Sequence, residues 1–119
     1  MEKVENHNIE FKKSWHDEYL KTVAAFANTD GGIIYIGCND KSEVIGLEKS
    51  EIKKLLEDLP NKIRNKLGIT SFVREEIHSG KSFLNIEIPR SFFPISYDGK
   101  FYVRTGSTTQ ELSGIELSS

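Results

Sequence analysis

The sequence predicts one domain that combines helices with strands, and three observations lead there. Its 119 residues make a single domain with enough chain to build a real core. The first half alternates strand-like and helix-like apolar patterns, whereas the second half is a run of β-segments separated by turn residues. The composition, 37% hydrophobic and 29% charged, is that of a globular chain.

The elements follow in order. Ile9-Glu10-Phe11-Lys12 is the first strand, with Ile9 and Phe11 on one face and Glu10 and Lys12 on the other; the turn-rich Asn6-His7-Asn8 precedes it. A helix is expected from Trp15 to Asn28, on the stripe Trp15, Tyr19, Val23 and Ala27, with Ser14 as its cap and Asn28 and Gly31 as its stop. Ile33 to Cys38 is nearly all apolar, as suits a strand covered on both faces. Val44 to Leu47 reads as a short return strand. A second helix carries Ile52, Leu55, Leu56 and Leu59 on one face. Pro60 is expected to break or kink it, and Ile63 and Leu67 to extend the pattern toward Gly68. Ile69–His78 and Phe83–Ile88 form a hairpin around Ser79-Gly80-Lys81, and Asp98-Gly99 marks another. Ser107 to Glu111 has the spacing of a capped helix start.

Charge and cysteine content narrow the function classes. A net charge of −2 argues against a basic nucleic-acid coat, so such binding requires a local patch. From Lys81 to Gly106 the chain carries Lys81, Arg90, Lys100 and Arg104 against Glu87 and Asp98, a net +2. Tyr97, Phe101 and Tyr102 lie in the same stretch, where they either stack on bases or fill the packed face; Tyr102 is expected to be the outward one. Cys38 is the only cysteine, which excludes an internal disulfide, suggests a reducing, cytoplasmic setting and reads as a buried thiol. His7, His16 and His78 lack metal-ligand spacing. There is no phosphate-binding GxxxxGK[ST] loop, so no ATP is expected at this domain. No apolar run has the length of a membrane span, so no membrane partner is expected.

Five segments taken together resemble the Schlafen AlbA-type domain: Glu5 to Lys12, Ala25-Phe26-Ala27-Asn28-Thr29 with Gly31-Gly32, Ile36-Gly37 with Asp40, Ile45-Gly46, and Tyr102-Val103-Arg104 with Gly106-Ser107 and Thr109. The resemblance spans nearly all of residues 1–119 and implies an α+β fold: a mixed β-sheet with two main helices, packed mainly on one side. In bacteria such domains head proteins labelled transcriptional regulators or RecG-related ATP-dependent DNA helicases, so the chain is expected to be the front of a longer regulator. Nucleic-acid binding, to DNA or RNA, and work as a homodimer are implied in the same way.

The resemblance also assigns site residues. Some Schlafen members cleave RNA with two glutamates and an aspartate, which fall here on Glu5, Glu10 and Asp40. Such a triad would hold magnesium or manganese, hard cations that favour carboxylate oxygens and activate water for phosphodiester hydrolysis. On spacing alone, Glu5 is a terminal residue and Asp40 a turn residue. Lys12 and Lys13 are either phosphate contacts or an ordinary solvated strand end. Arg104 stands before Ser107, Thr108 and Thr109, where an arginine and hydroxyls grip phosphate, or where Arg104 pairs with an acidic neighbour. The leading expectation is a nucleic-acid-binding domain using Lys12, Lys13, Lys100, Tyr102, Arg104 and Ser107–Thr109, with no cofactor required for binding. The alternatives are a metal-dependent endoribonuclease and a protein-interaction or oligomerisation module.

Overall fold

The computed structural model describes residues 5–112. Four strands form the main sheet in the order β1-β2-β4-β3: β1 (Ile9–Lys12), β2 (Gly32–Ile36), β4 (Lys81–Ile88) and β3 (Phe72–His78). β1 runs parallel to β2, with Ile9 beside Ile33 and Lys12 beside Ile36, and the other pairings are antiparallel. A second sheet, β5-β6-β7, consists of β5 (Ser96–Tyr97), β6 (Lys100–Thr105) and β7 (Thr108–Glu111). The fold is α+β with a mixed main sheet, as the resemblance implied.

Helix α1 (Leu20–Ala27) lies between the two sheets. Every one of its residues except Lys21 is buried, because main sheet, second helix and small sheet enclose it. Its side chains meet Ile34, Ile36, Leu84, Ile86 and Ile88 in one core, to which α2 (Lys49–Leu67) adds Ile52, Leu55, Leu59, Ile63 and Leu67. The opposite face of the main sheet holds a smaller cluster, Phe11, Tyr35, Cys38, Val44 and Phe83. There Phe11 and Tyr35 stack with ring centres 5.5 Å apart.

Several expected elements are corrected. The first helix does not begin at Trp15: His16 is extended, a 3-10 turn covers Asp17–Tyr19, and the α-helix starts at Leu20. Ser14 does not cap it; its hydroxyl bonds His16, and Asp17 instead accepts from Trp15 Nε1 and from Lys62 Nζ of α2. Pro60 does not end α2, which continues to Gly68, a left-handed cap at φ 72°. Its buried stripe runs unbroken through Leu59, Ile63 and Leu67, and that packing offsets the roughly 3 kcal/mol an interior proline costs. Val44–Leu47 is no strand; only Val44 bridges to Cys38. Ser107–Glu111 starts no helix: Gly106 at φ 58° turns the chain tightly, and Thr108–Glu111 returns as β7 along β6. The threonines suit a strand better than a helix interior.

The two glycines after α1 are demanded by close approach. A Cβ on Gly31 would lie 2.8 Å from Ile88 O, and one on Gly32 2.7 Å from Phe26 Cδ1 and 2.8 Å from Asn8 O. These contacts seat the helix end against the start of β2.

Candidate functional site

The motif residues that carry chemistry converge on the outer edge of β1, and what they build there is a closed edge. Arg104 rises from β6 and is 5% exposed. Its Nη1 donates to Glu10 Oε1 at 3.0 Å and to Thr109 Oγ1 at 3.3 Å; its Nη2 donates to Asn6 O at 3.1 Å and Ile9 O at 3.4 Å. The guanidinium lies over the Phe26 ring, 4.9 Å from its centre. Burial pulls its pKa below the ordinary arginine value, while the Glu5 charge opposes that shift. Glu5 accepts a hydrogen bond from the outward Phe11 N–H at 2.9 Å. Ile9 N–H donates to Asn6 O. The acidic pairing that stood as an alternative for Arg104 is therefore the observed one, and Glu10 is its partner.

Asn28 and Thr29 complete the junction. The Asn28 side chain accepts from Ile95 N–H and donates to Ile95 O and Tyr102 O. Thr29 Oγ1 donates to Ala25 O and accepts from Arg104 N–H. Asn28 stands at the end of α1, as expected, and its side chain clamps chain segments far along the sequence. Nothing in the local spacing announces that role.

The remaining predicted site residues lie elsewhere. Tyr102 is buried and Phe101 half-buried, the reverse of the expected orientation, because Tyr102 and Arg104 share the β6 face turned toward α1. Lys12 Nζ sits 4.8 Å from the Tyr19 ring centre. Lys13 is exposed and lines an open cleft of about 520 Å³ with Lys49, Lys81, Glu48, Glu51 and Glu75. Lys100 opens β6 and Ser107 lies just past its other end, and Lys100 pairs with Glu111 at 3.7 Å. Ser107 is exposed, Thr108 donates to Thr105 O, and Thr109 donates to Thr22 Oγ1. The predicted phosphate contacts thus do not form one patch.

The carboxylates do not fit a metal triad. Glu10 is committed to a buried guanidinium and Glu5 to a backbone N–H, while Asp40 is exposed in the turn beyond β2. Among the described residues, no three acidic, histidine or cysteine side chains gather closely enough to hold a cation. Cys38 is fully buried, and desolvation pushes its thiol up to about 11, so it stays protonated at neutral pH. Two residues that sequence reasoning passed over are the most exposed aromatics: Phe92 at 92% and Phe93 at 78%. Ser91 holds their loop, donating to Phe93 O and accepting from Phe93 N–H, and its own N–H donates to Ala27 O. Their only sequence signal is a pair of aromatics between Pro89 and Pro94.

The comparisons place this two-sheet α+β domain in a family. The Schlafen AlbA_2 family profile matches residues 5–113, and the chain belongs to that family. Over 67 residues it is 40% identical to an uncharacterized ATP-binding protein of Ureaplasma parvum; the match takes in 51% of this chain and only 19% of that protein. A Corynebacterium diphtheriae protein of known crystal structure shares the fold at a TM-score of 0.72 and 20% identity, over 89% of this chain and 22% of that one. The N-terminal domain of a Nitrosomonas europaea protein, named as a RecG-related ATP-dependent DNA helicase, is similar at a TM-score of 0.58 and 25% identity, over 89% of this chain and 82% of that domain. No helix among the described residues is long and apolar enough to cross a membrane.

Proposed function

We propose that this domain binds nucleic acid, as the front module of a cytoplasmic, homodimeric bacterial regulator. The observation that carries the reading is the family match over residues 5–113, joined by the likeness to a domain that heads a protein named as a DNA helicase. The groups available for it are spread over the surface and do not form one patch. Lys12, Lys13, Lys100 and the exposed hydroxyls of Ser107 and Thr108 supply phosphate contacts, and Lys49 and Lys81 join Lys13 around its cleft. The flat faces of Phe92 and Phe93 offer unpaired bases a stacking surface. Arg104, Tyr102 and Thr109 act inside the protein, holding the small sheet to β1 and α1.

Fluorescence anisotropy with labelled single-stranded DNA, duplex DNA and transfer RNA across a salt series tests this. Affinity falls steeply with salt as phosphate neutralisation releases counterions. Lys13→Glu with Lys100→Glu weakens binding to all three, and Phe92→Ala with Phe93→Ala weakens binding to the single strand most. A folded protein that retains none of these polymers at low salt overturns the reading. Scission in manganese that is lost in Asp40→Ala, at an exposed position, would favour the endoribonuclease instead.

A further inference from the structure

We infer that β3 is the seam of a homodimer, in which a second copy of this chain pairs antiparallel with it about a two-fold axis at Glu75. The main sheet has two edges. At the β1 edge, the Ile9 N–H and C=O and the Phe11 N–H are taken up by Asn6, Arg104 and Glu5. At the β3 edge nothing comparable exists. β3 and β4 meet in a two-residue turn, Ser79-Gly80, with both residues at positive φ. In such a hairpin the flanking pair, His78 and Lys81, is hydrogen-bonded, and bonded pairs alternate from there. Phe72, Arg74, Glu76 and His78 therefore bond toward β4. Val73, Glu75 and Ile77 turn their N–H and C=O groups outward, and no backbone hydrogen bond reaches these groups from elsewhere among the described residues.

An open strand is a template for another strand. The occupant follows from the sequence of β3, Phe72-Val73-Arg74-Glu75-Glu76-Ile77-His78, which complements itself. With the axis at Glu75, the outward-bonding residues match: Val73 opposes Ile77 of the second copy, and Ile77 opposes its Val73. Within each chain Arg74 Nε lies 3.4 Å from Glu76 Oε1, and across the axis each Arg74 also opposes the second copy's Glu76, so the two pairs join in one alternating cluster. These are non-hydrogen-bonded positions, where side chains approach most closely and opposite charges stabilise. Moving the axis to Arg74 or to Glu76 sets like charges against each other there and removes both attractive pairs. The register at Glu75 has one like pair, Glu75 with its twin. Each Glu75 lies in a groove lined by Lys49, Lys53 and Glu57, where the two lysines outnumber the one further carboxylate and reduce that repulsion. The same register covers Ile77, which is 69% exposed, with the second copy's Val73, and sets Phe72, 54% exposed, beside its His78. A symmetric contact of this kind closes on itself, giving a dimer with a continuous sheet and no filament.

Sedimentation of the full chain with charge reversals tests the seam independently of what the domain binds. The wild type is expected to be a dimer. Arg74→Glu and Glu76→Arg each weaken it on the order of tenfold or more, and the double reversal restores it, since the cross-axis pairs reform. Glu75→Thr tightens it. Circular dichroism checks that each variant keeps its fold, and the wild type alone gives a second readout: amide exchange at Val73, Glu75 and Ile77 slows as concentration rises. A wild type that stays monomeric at high concentration, a dimer indifferent to single reversals, a double reversal as weak as the singles, or protection arising elsewhere overturns the inference.

Discussion

The two edges of the main sheet are treated in opposite ways. β1 is a short strand whose outward groups meet a buried guanidinium, a glutamate and its own preceding turn. β3 is longer, mostly exposed, and leaves its outward groups without backbone partners among the described residues. Closing an edge with ionic side chains requires burying charge, and buried charge is tolerated only when paired and hydrogen-bonded. The Glu10–Arg104 pair meets that condition, with side-chain exposures of 11% and 1%. Glu5, Glu10, Asn28, Thr29 and Arg104 are thus largely invested in edge closure and in stitching two sheets together.

The largest effect that breaks this comparison is Arg104→Ala. It leaves Glu10 buried without its partner and frees the β1 edge, and we expect a loss of about 3–5 kcal/mol in urea unfolding. Glu10→Leu combined with Arg104→Met recovers much of it, because the cost lies in the orphaned charge. The buried thiol of Cys38 supplies a contrast, since it is kept neutral chiefly by burial. Its pKa is raised from 9.0 to about 11, so the unfolded chain loses the proton first. Stability is unaffected by Cys38 below pH 9 and falls as pH rises from 9.0 toward 11, by about 3 kcal/mol at most. Comparing alkaline urea unfolding of wild type and Cys38→Ala isolates that slope.

Smaller changes sharpen the picture. Gly32→Ala drives a methyl into Phe26 and the Asn8 carbonyl where β1, α1 and β2 meet, with an expected loss of about 1–3 kcal/mol in thermal unfolding. Glu5→Ala uncaps the Phe11 N–H for about 1 kcal/mol and speeds amide exchange at Phe11 above all other positions in β1. Ile77→Lys on the open edge changes monomer stability by no more than about 0.5 kcal/mol, because Ile77 is mostly exposed, yet lowers self-association measured by sedimentation.

The strands and the second helix were legible because their signals are local. Alternation in Leu84, Ile86 and Ile88 and the Asp98-Gly99 dipeptide each appear where the hairpins are. The apolar run that begins at Ile33 supplies β2 (Gly32–Ile36), a central strand covered on both faces as its composition suggested. The misread elements are those where tertiary contacts outweigh local preference. Trp15 and Tyr19 fit a helical stripe, but the bond from Trp15 to Asp17 and the reach of Lys62 from α2 hold the start of that segment out of the α-helix. Pro60 punctuates the sequence but not the structure, because five buried side chains hold α2 in place on either side of it. Thr108 and Glu111 match a capping pattern, yet β6 lay near enough to pair with.

For the site, the structure brings Glu10, Arg104 and Thr109 of the expected residues together in a structural contact and leaves Asp40, Lys13, Lys100 and Ser107 apart from it. Glu10 and Arg104 are separated by 94 positions, and no spacing rule links them. The same is true of Asn28 with Ile95 and Tyr102. Residue order alone settled that helices and strands combine, that the apolar run from Ile33 is a covered strand and that the thiol is buried, because hydrophobic period and turn chemistry act over a few neighbours. Which carboxylate meets which guanidinium, which aromatic faces water and which sheet edge is left open were decided only when distant segments packed together, since the energy of a buried charge or an unpaired edge depends on whatever lies across the gap.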